Sequence, residues 1–134
     1  ADGVLPPEAT SEGPFDLVVS ARAIHHLPAS LMPTMYGSIY ENLKPGGAFF
    51  NTDTASPEND FLHDLYRKVS RIGRPPRTEP SARSPEQRAH DNLLHHKEAT
   101  AVKHQEWLKE AGFASADIFW KKLNLALIGG YKLA

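Results

Sequence analysis

The stretch FDLVVSARAIHHL, residues 15–27, decides the fold. Residues 15–20 are mainly apolar, with two adjacent valines, and are bounded by Gly13-Pro14 and a polar turn. They read as a strand whose two faces are both largely apolar, which points to a buried, parallel setting. The strand runs straight into a turn carrying Arg22, His25 and His26. Ligands of open α/β sheets gather outside the carboxyl ends of the strands, so this turn marks a ligand edge.

Working outward, Ser30 is placed to cap a helix whose Leu31, Met35, Ile39 and Leu43 recur every four residues. Pro33 is tolerated in its first turn, and Lys44-Pro45-Gly46-Gly47 is expected to stop it. Residues 48–52 then form a second strand, with Asp53 at its carboxyl end. Two parallel strands need a crossover, and the helix between them supplies it. Residues 1–14, rich in Pro, Gly, Glu and Ser, read as a loop.

Beyond Asp53, Ser56 and Pro57 predict a helix start, with Phe61, Leu65 and Val69, joined by Leu62, Tyr66 and Ile72, as its apolar stripe. Residues 73–82 read as a loop or lid hinge. Ser84 and Gln87 have capping-box spacing. Thr100 caps a further helix carrying Val102, Trp107, Leu108 and Ala111, and Gly112 ends it. Residues 116–121 and 124–132 read as two strands joined by a tight turn. The order β-α-β-α-(α)-α-β-β gives an α/β domain with a mixed sheet, closed by an antiparallel hairpin.

The bulk numbers narrow the function. A chain of 134 residues, 40% apolar and 23% charged, suits one globular domain. A formal charge of −1 gives no electrostatic case for nucleic acid or an anionic membrane. No apolar run approaches the ~20 residues of a membrane helix. There is no cysteine, which excludes disulfides, thiolate metal sites and a cysteine nucleophile. No targeting segment is evident, so the cytoplasm is the default location.

Four segments taken together resemble the C-terminal half of class I S-adenosylmethionine-dependent methyltransferases. They are PFDLVVSARAIHHL (14–27), IYENLKPGGAFFNTD (39–53), EWLKEAGF (106–113) and FWKKLNLALIGGYK (119–132). The resemblance spans nearly all of residues 1–134 and implies a partial Rossmann-like sheet. Residues 15–20 match the family's fourth strand, 48–53 its fifth, and the hairpin its sixth and seventh, with the last strand inserted antiparallel. It implies S-adenosyl-L-methionine as cofactor. By the same resemblance ADGVLP (1–6) matches the acidic motif after the third strand, so Asp2 meets the adenine amino group with Gly3 beside it. The family's glycine-rich first motif has no counterpart: none of the nine glycines forms G-x-G. The expectation is therefore an N-terminally truncated enzyme, with a bare edge on the 15–20 strand that invites self-association or poor stability.

The ligand edge supplies the candidate site. Ser20, Ala21 and Ile24 are expected near the cofactor, although Ile24 equally suits core packing. His25 and His26 are candidate general bases, since imidazole titrates near neutrality. The plain reading of either ring is turn packing. Arg22, Asp53, Tyr66 and Trp120 are candidate substrate contacts. Asp53 also suits a cap on the turn at Thr54. Alternation sends Phe119 and Trp120 to opposite faces, so one of them is expected in the core. His90, His95, His96 and His104 match no metal-binding spacing and read as a solvated face. Acceptor selection is placed at Tyr66 and residues 73–84. The leading reading is methyl transfer to a small-molecule acceptor, with the missing N-terminal half as a further partner. The rival is a catalytically silent truncated domain that acts as a binding module.

Overall fold

The computed structural model describes residues 4–76, 84–87 and 99–134. The elements run α1 (Pro7–Thr10), β1 (Phe15–Ala21), α2 (Met32–Glu41), β2 (Leu43–Thr54), α3 (Asp60–Arg71), α4 (Ala101–Ala111), β3 (Asp117–Lys122) and β4 (Leu125–Tyr131). Two single 3-10 turns, Ile24–His26 and Ala29–Leu31, lead from β1 into α2. The sheet order is β1-β2-β4-β3. β1 and β2 are parallel, and β4 lies antiparallel between β2 and β3. This is the mixed α/β sheet with a closing hairpin that the sequence predicts, with the last strand inserted.

Strand alternation divides the sheet into two faces. Phe49, Asn51 and Asp53 of β2 share a face with Val18 and Ser20 of β1 and with Ala126, Ile128 and Gly130 of β4, their partners in register. Against that face pack α2, through Met32, Tyr36 and Ile39, and α4, through His104, Trp107 and Leu108. Phe113, just past α4, completes the core between Tyr40 and Phe49. The other face carries Leu17, Val19, Phe50, Trp120 and Tyr131, and much of it is open to solvent among the described residues.

Several local devices fix these elements. Thr100 caps α4 by accepting the Lys103 amide at 3.1 Å. Gly112 ends α4 at φ 116°, a conformation that only glycine takes cheaply. A Cβ there would meet the Tyr40 ring at 2.9 Å. Lys132 closes the end of α2: its Nζ donates to the carbonyls of Tyr40 and Leu43 at 2.9 and 2.8 Å and lies over the Tyr40 ring. A cation at a helix carboxyl end also opposes the dipole. The capping box forms as the spacing predicts, with Ser84 Oγ accepting from the Gln87 amide and Gln87 Oε1 accepting from the Ser84 amide.

Other expectations are corrected. Residues 7–10 form a short helix within the expected loop. Ser30 lies in a 3-10 turn and caps nothing, so α2 buries Met32, Tyr36 and Ile39 and leaves Met35 half-buried. Lys44-Pro45-Gly46-Gly47 does not stop the helix, which has already ended at Glu41. It forms an irregular start to β2 between the Phe15–Leu43 and Leu17–Ala48 pairs. Ser56 bridges to Thr100, and the cap of α3 is Asn59, which accepts the Leu62 amide. β1 is not buried on both faces: Leu17 and Val19 are 53% and 68% exposed. The α3 stripe is likewise exposed at Phe61, Leu65, Val69 and Ile72 among the described residues. A register shift at Phe119 breaks the alternation of β3, so neither Phe119 nor Trp120 is buried. No helix among the described residues is long and apolar enough to cross a membrane.

Candidate functional site

The carboxyl ends of the two parallel strands form the candidate site. β1 leaves the sheet at Ala21, and Arg22 then takes a left-handed conformation at φ 53° while its amide still bonds to the Thr52 carbonyl at 2.9 Å. That turn swings the chain over the end of β2. Ile24 anchors it, 6% exposed and packed in the core, which leaves His25 above Asp53. The Asp53 carboxylate is buried at 3% exposure. Its Oδ2 accepts from the His25 amide at 2.9 Å, and its Oδ1 accepts from the Thr54 amide at 2.8 Å and faces His25 Nδ1 at 2.5 Å.

This geometry decides the chemistry of the ring. An ionised carboxylate only accepts, so the facing Nδ1 carries a proton. The basic nitrogen of neutral His25 is then Nε2. A buried carboxylate that fixes the tautomer and offsets the charge of an imidazolium is the arrangement used to make histidine a general base. His26 stacks on His25 with ring centroids 4.0 Å apart and is itself exposed.

The structure thus joins His25 and Asp53, residues that the sequence offers for separate roles. Asp53 also caps Thr54, as its plainer reading has it. Ser20 is half-buried on the helix side of the sheet, opposite Asn51, whereas Ala21 and Arg22 are exposed at the rim. Tyr66 is not brought to the pair. It is half-buried on α3 and accepts a hydrogen bond from Lys121 of β3 at 3.2 Å. Trp120 lies on β3, at the edge of the sheet farthest from β1, and is 47% exposed. Asp2, Gly3, His90, His95 and His96 lie outside the described residues. His104 is no solvated histidine: it is 2% exposed and its Nδ1 lies 2.6 Å from the Tyr36 hydroxyl. No group of residues that could hold a metal ion occurs among the described residues.

Sequence reasoning missed a polar cluster beneath the rim. Tyr36, Asn51 and His104, with Asp53, are buried on the helix side of the sheet. Burial brings the His104 pKa down to about 4, with the Asp53 charge a smaller opposing influence. Burial, reinforced by the same charge, pushes the Tyr36 hydroxyl well above its ordinary value. Period-two alternation of Phe49, Asn51 and Asp53 is the one sequence signal that could have placed the last two together.

No protein-family model matches the chain, and no curated protein matches it. Solved structures do. PigF with SAH aligns at TM-score 0.57 and 21% identity, covering 90% of this chain and 31% of that one. An O-methyltransferase family protein from Burkholderia thailandensis aligns at 0.57 and 18%, covering 97% and 34%. Human N-acetylserotonin methyltransferase in complex with SAM aligns at 0.53 and 19%, covering 93% and 32%. The chain therefore spans about a third of the length of these proteins. Its sheet and helices have the fold of a class I S-adenosylmethionine-dependent methyltransferase over that third.

Proposed function

We propose that this chain is the C-terminal part of an S-adenosylmethionine-dependent methyltransferase that acts on a hydroxyl of a small-molecule acceptor. The observation that carries this reading is the His25–Asp53 pair at the carboxyl ends of parallel strands. S-adenosylmethionine, when bound, supplies an activated methyl group on a sulfonium. The residues present fit the acceptor side of such a site: a base at the rim, beside the short turn of Ser20 and Ala21. The described residues contain no glycine-rich cradle, so the reading assigns the cofactor's main hold to a companion half of the domain, with Asp2 and Gly3 near the adenine. The uncovered face of the sheet, at Leu17 and Val19, is where such a half would gain apolar contact.

In this reading His25 Nε2 takes the proton of the acceptor hydroxyl as its oxygen is methylated. Asp53 holds Nδ1–H and offsets the imidazolium charge. His26 shields the other side of the ring. Arg22, exposed beside the pair, orients the acceptor.

A methyl-transfer assay tests the proposal. The chain, completed by its companion half, is incubated with methyl-labelled S-adenosylmethionine and a panel of phenols and alcohols. Transfer to a hydroxyl is expected, and His25→Ala should lower it about 10²–10⁴-fold, the usual worth of a general base. Donor binding with no transfer to any acceptor would reduce the chain to a binding module.

A further inference from the structure

We propose that the exposed apolar strip of α3 is a self-association surface, on which a second copy of this chain lays its own α3 antiparallel. None of the residues of α3 is buried. Phe61 and Ile72 are 73% and 77% exposed, and Leu65 and Val69 are each 40% exposed. With ~3.6 residues per turn, these four fall within about 80° of one another around the axis, in a strip about 17 Å long. Single apolar side chains are ordinary on a protein surface, whereas an aligned row of four marks an interaction site. The helix is attached along one border of that strip, through the half-buried Leu62 and Tyr66. The Tyr66 hydroxyl accepts from the Lys121 ammonium at 3.2 Å. Lys121 pairs with Ala126, which pairs with Asp53, so α3 is held at the end of the sheet that carries the His25–Asp53 pair.

The other border of the strip is charged, and the order of its charges selects the occupant. Asp60 and Asp64 lie in the first half of α3, Lys68 and Arg71 in the second. A two-fold axis normal to two antiparallel helices sets like borders together. With that axis level with residue 66, Asp64 of each copy lies beside Lys68 of the other. The same register sets Phe61 level with the gap between Val69 and Ile72 of the second copy, and Leu65 between its Leu65 and Val69. A parallel pair would set the charged border against the Leu62–Tyr66 border and lose both ion pairs. Asp64 uses Oδ1 for His63 and Arg67 of its own helix, at 3.7 and 3.4 Å, which leaves Oδ2 to the second copy. An anionic membrane fits this helix less well. Helices that lie on such surfaces concentrate Lys and Arg, whereas Asp60 and Asp64 would meet the headgroups at one end of this strip. One such helix per copy buries well under the ~1,600 Å² of a standard interface, so the dimer is weak and reversible.

Sedimentation equilibrium tests this between about 10 µM and 1 mM. It uses the chain completed by its companion half, so that the β1 edge and the open sheet face are covered. Wild type should pass from monomer towards dimer across that range. Lys68→Asp alone sets acid against acid, and Asp64→Lys alone sets base against base. Each should weaken the dimer about tenfold. Both side chains are exposed, so neither change threatens the fold. An equimolar mixture of the two variants restores opposite charges at both contacts, and it should associate about as tightly as wild type. A monomer at every concentration, a dimer that neither variant weakens, or a mixture no tighter than either variant alone overturns the proposal. Self-association does not depend on methyl transfer, so either can fail alone.

Discussion

His104 makes the stability of the fold depend on mild acid. The folded state holds the imidazole neutral, with its pKa brought down to about 4 from the ordinary 6.5, chiefly by burial. In the unfolded chain it titrates at the ordinary value. The folded pKa is the lower one, so the unfolded state binds more protons between pH 6.5 and 4, and stability rises with pH through that window. The contribution is complete above about pH 6.5 and lost as pH falls towards 4. The whole shift corresponds to about 3 kcal/mol, and about 2 kcal/mol of that disappears between pH 7 and pH 5. Urea unfolding at the two pH values measures this, and Trp107, buried against His104, reports it by fluorescence. Other histidines and the carboxylates titrate as well, so the comparison is with His104→Gln, which cannot titrate. Wild type should lose about 2 kcal/mol more than the variant between pH 7 and pH 5. Equal losses would show that His104 is not held neutral in the core, and the packing of α4 on α2 described above would be wrong.

Three further outcomes follow from the packing. Phe113→Ala empties the site between Tyr40 and Phe49 and should cost about 3–5 kcal/mol in chemical unfolding. Gly112→Ala forces a Cβ into a left-handed residue and onto the Tyr40 ring, so a loss of about 1–2 kcal/mol is expected in the same measurement. Lys132→Met keeps the stem but removes both donors from the end of α2. It should cost about 2 kcal/mol, with little sensitivity to salt because the ammonium bonds carbonyls and not a surface carboxylate.

The sequence carried the topology because its signals are local. A strand running into a polar turn, a proline in a first helical turn, Thr100 before α4 and Gly112 after it each act within a few residues. What it hid depends on partners far along the chain. Ser30 and Ser56 have the chemistry of caps, yet the helices begin elsewhere, because Ser56 is drawn into a bridge with Thr100. Phe119 and Trp120 obey alternation only until the register shifts between Ile118 and Trp120. The site divided in the same way. The rim was legible from the strand ends, and His25, His26 and Asp53 were all named from it. Their pairing was not, since His25 and Asp53 meet across 28 residues. Tyr36 and His104 meet across 68, and nothing in a periodic pattern announces a hydrogen bond at that range.

The most direct test of the account is an NMR titration of the labelled chain, completed by its companion half, with S-adenosylhomocysteine, the product of methyl transfer from S-adenosylmethionine. Saturable shifts at residues 20–26, at Asp53 and Thr54 and at Asp2 and Gly3 are predicted, with the His25 ring among the strongest. Saturation that leaves His25 and Asp53 unmoved, or the absence of any saturable shift in the folded chain, would contradict the assignment of this rim to a methyl-transfer site.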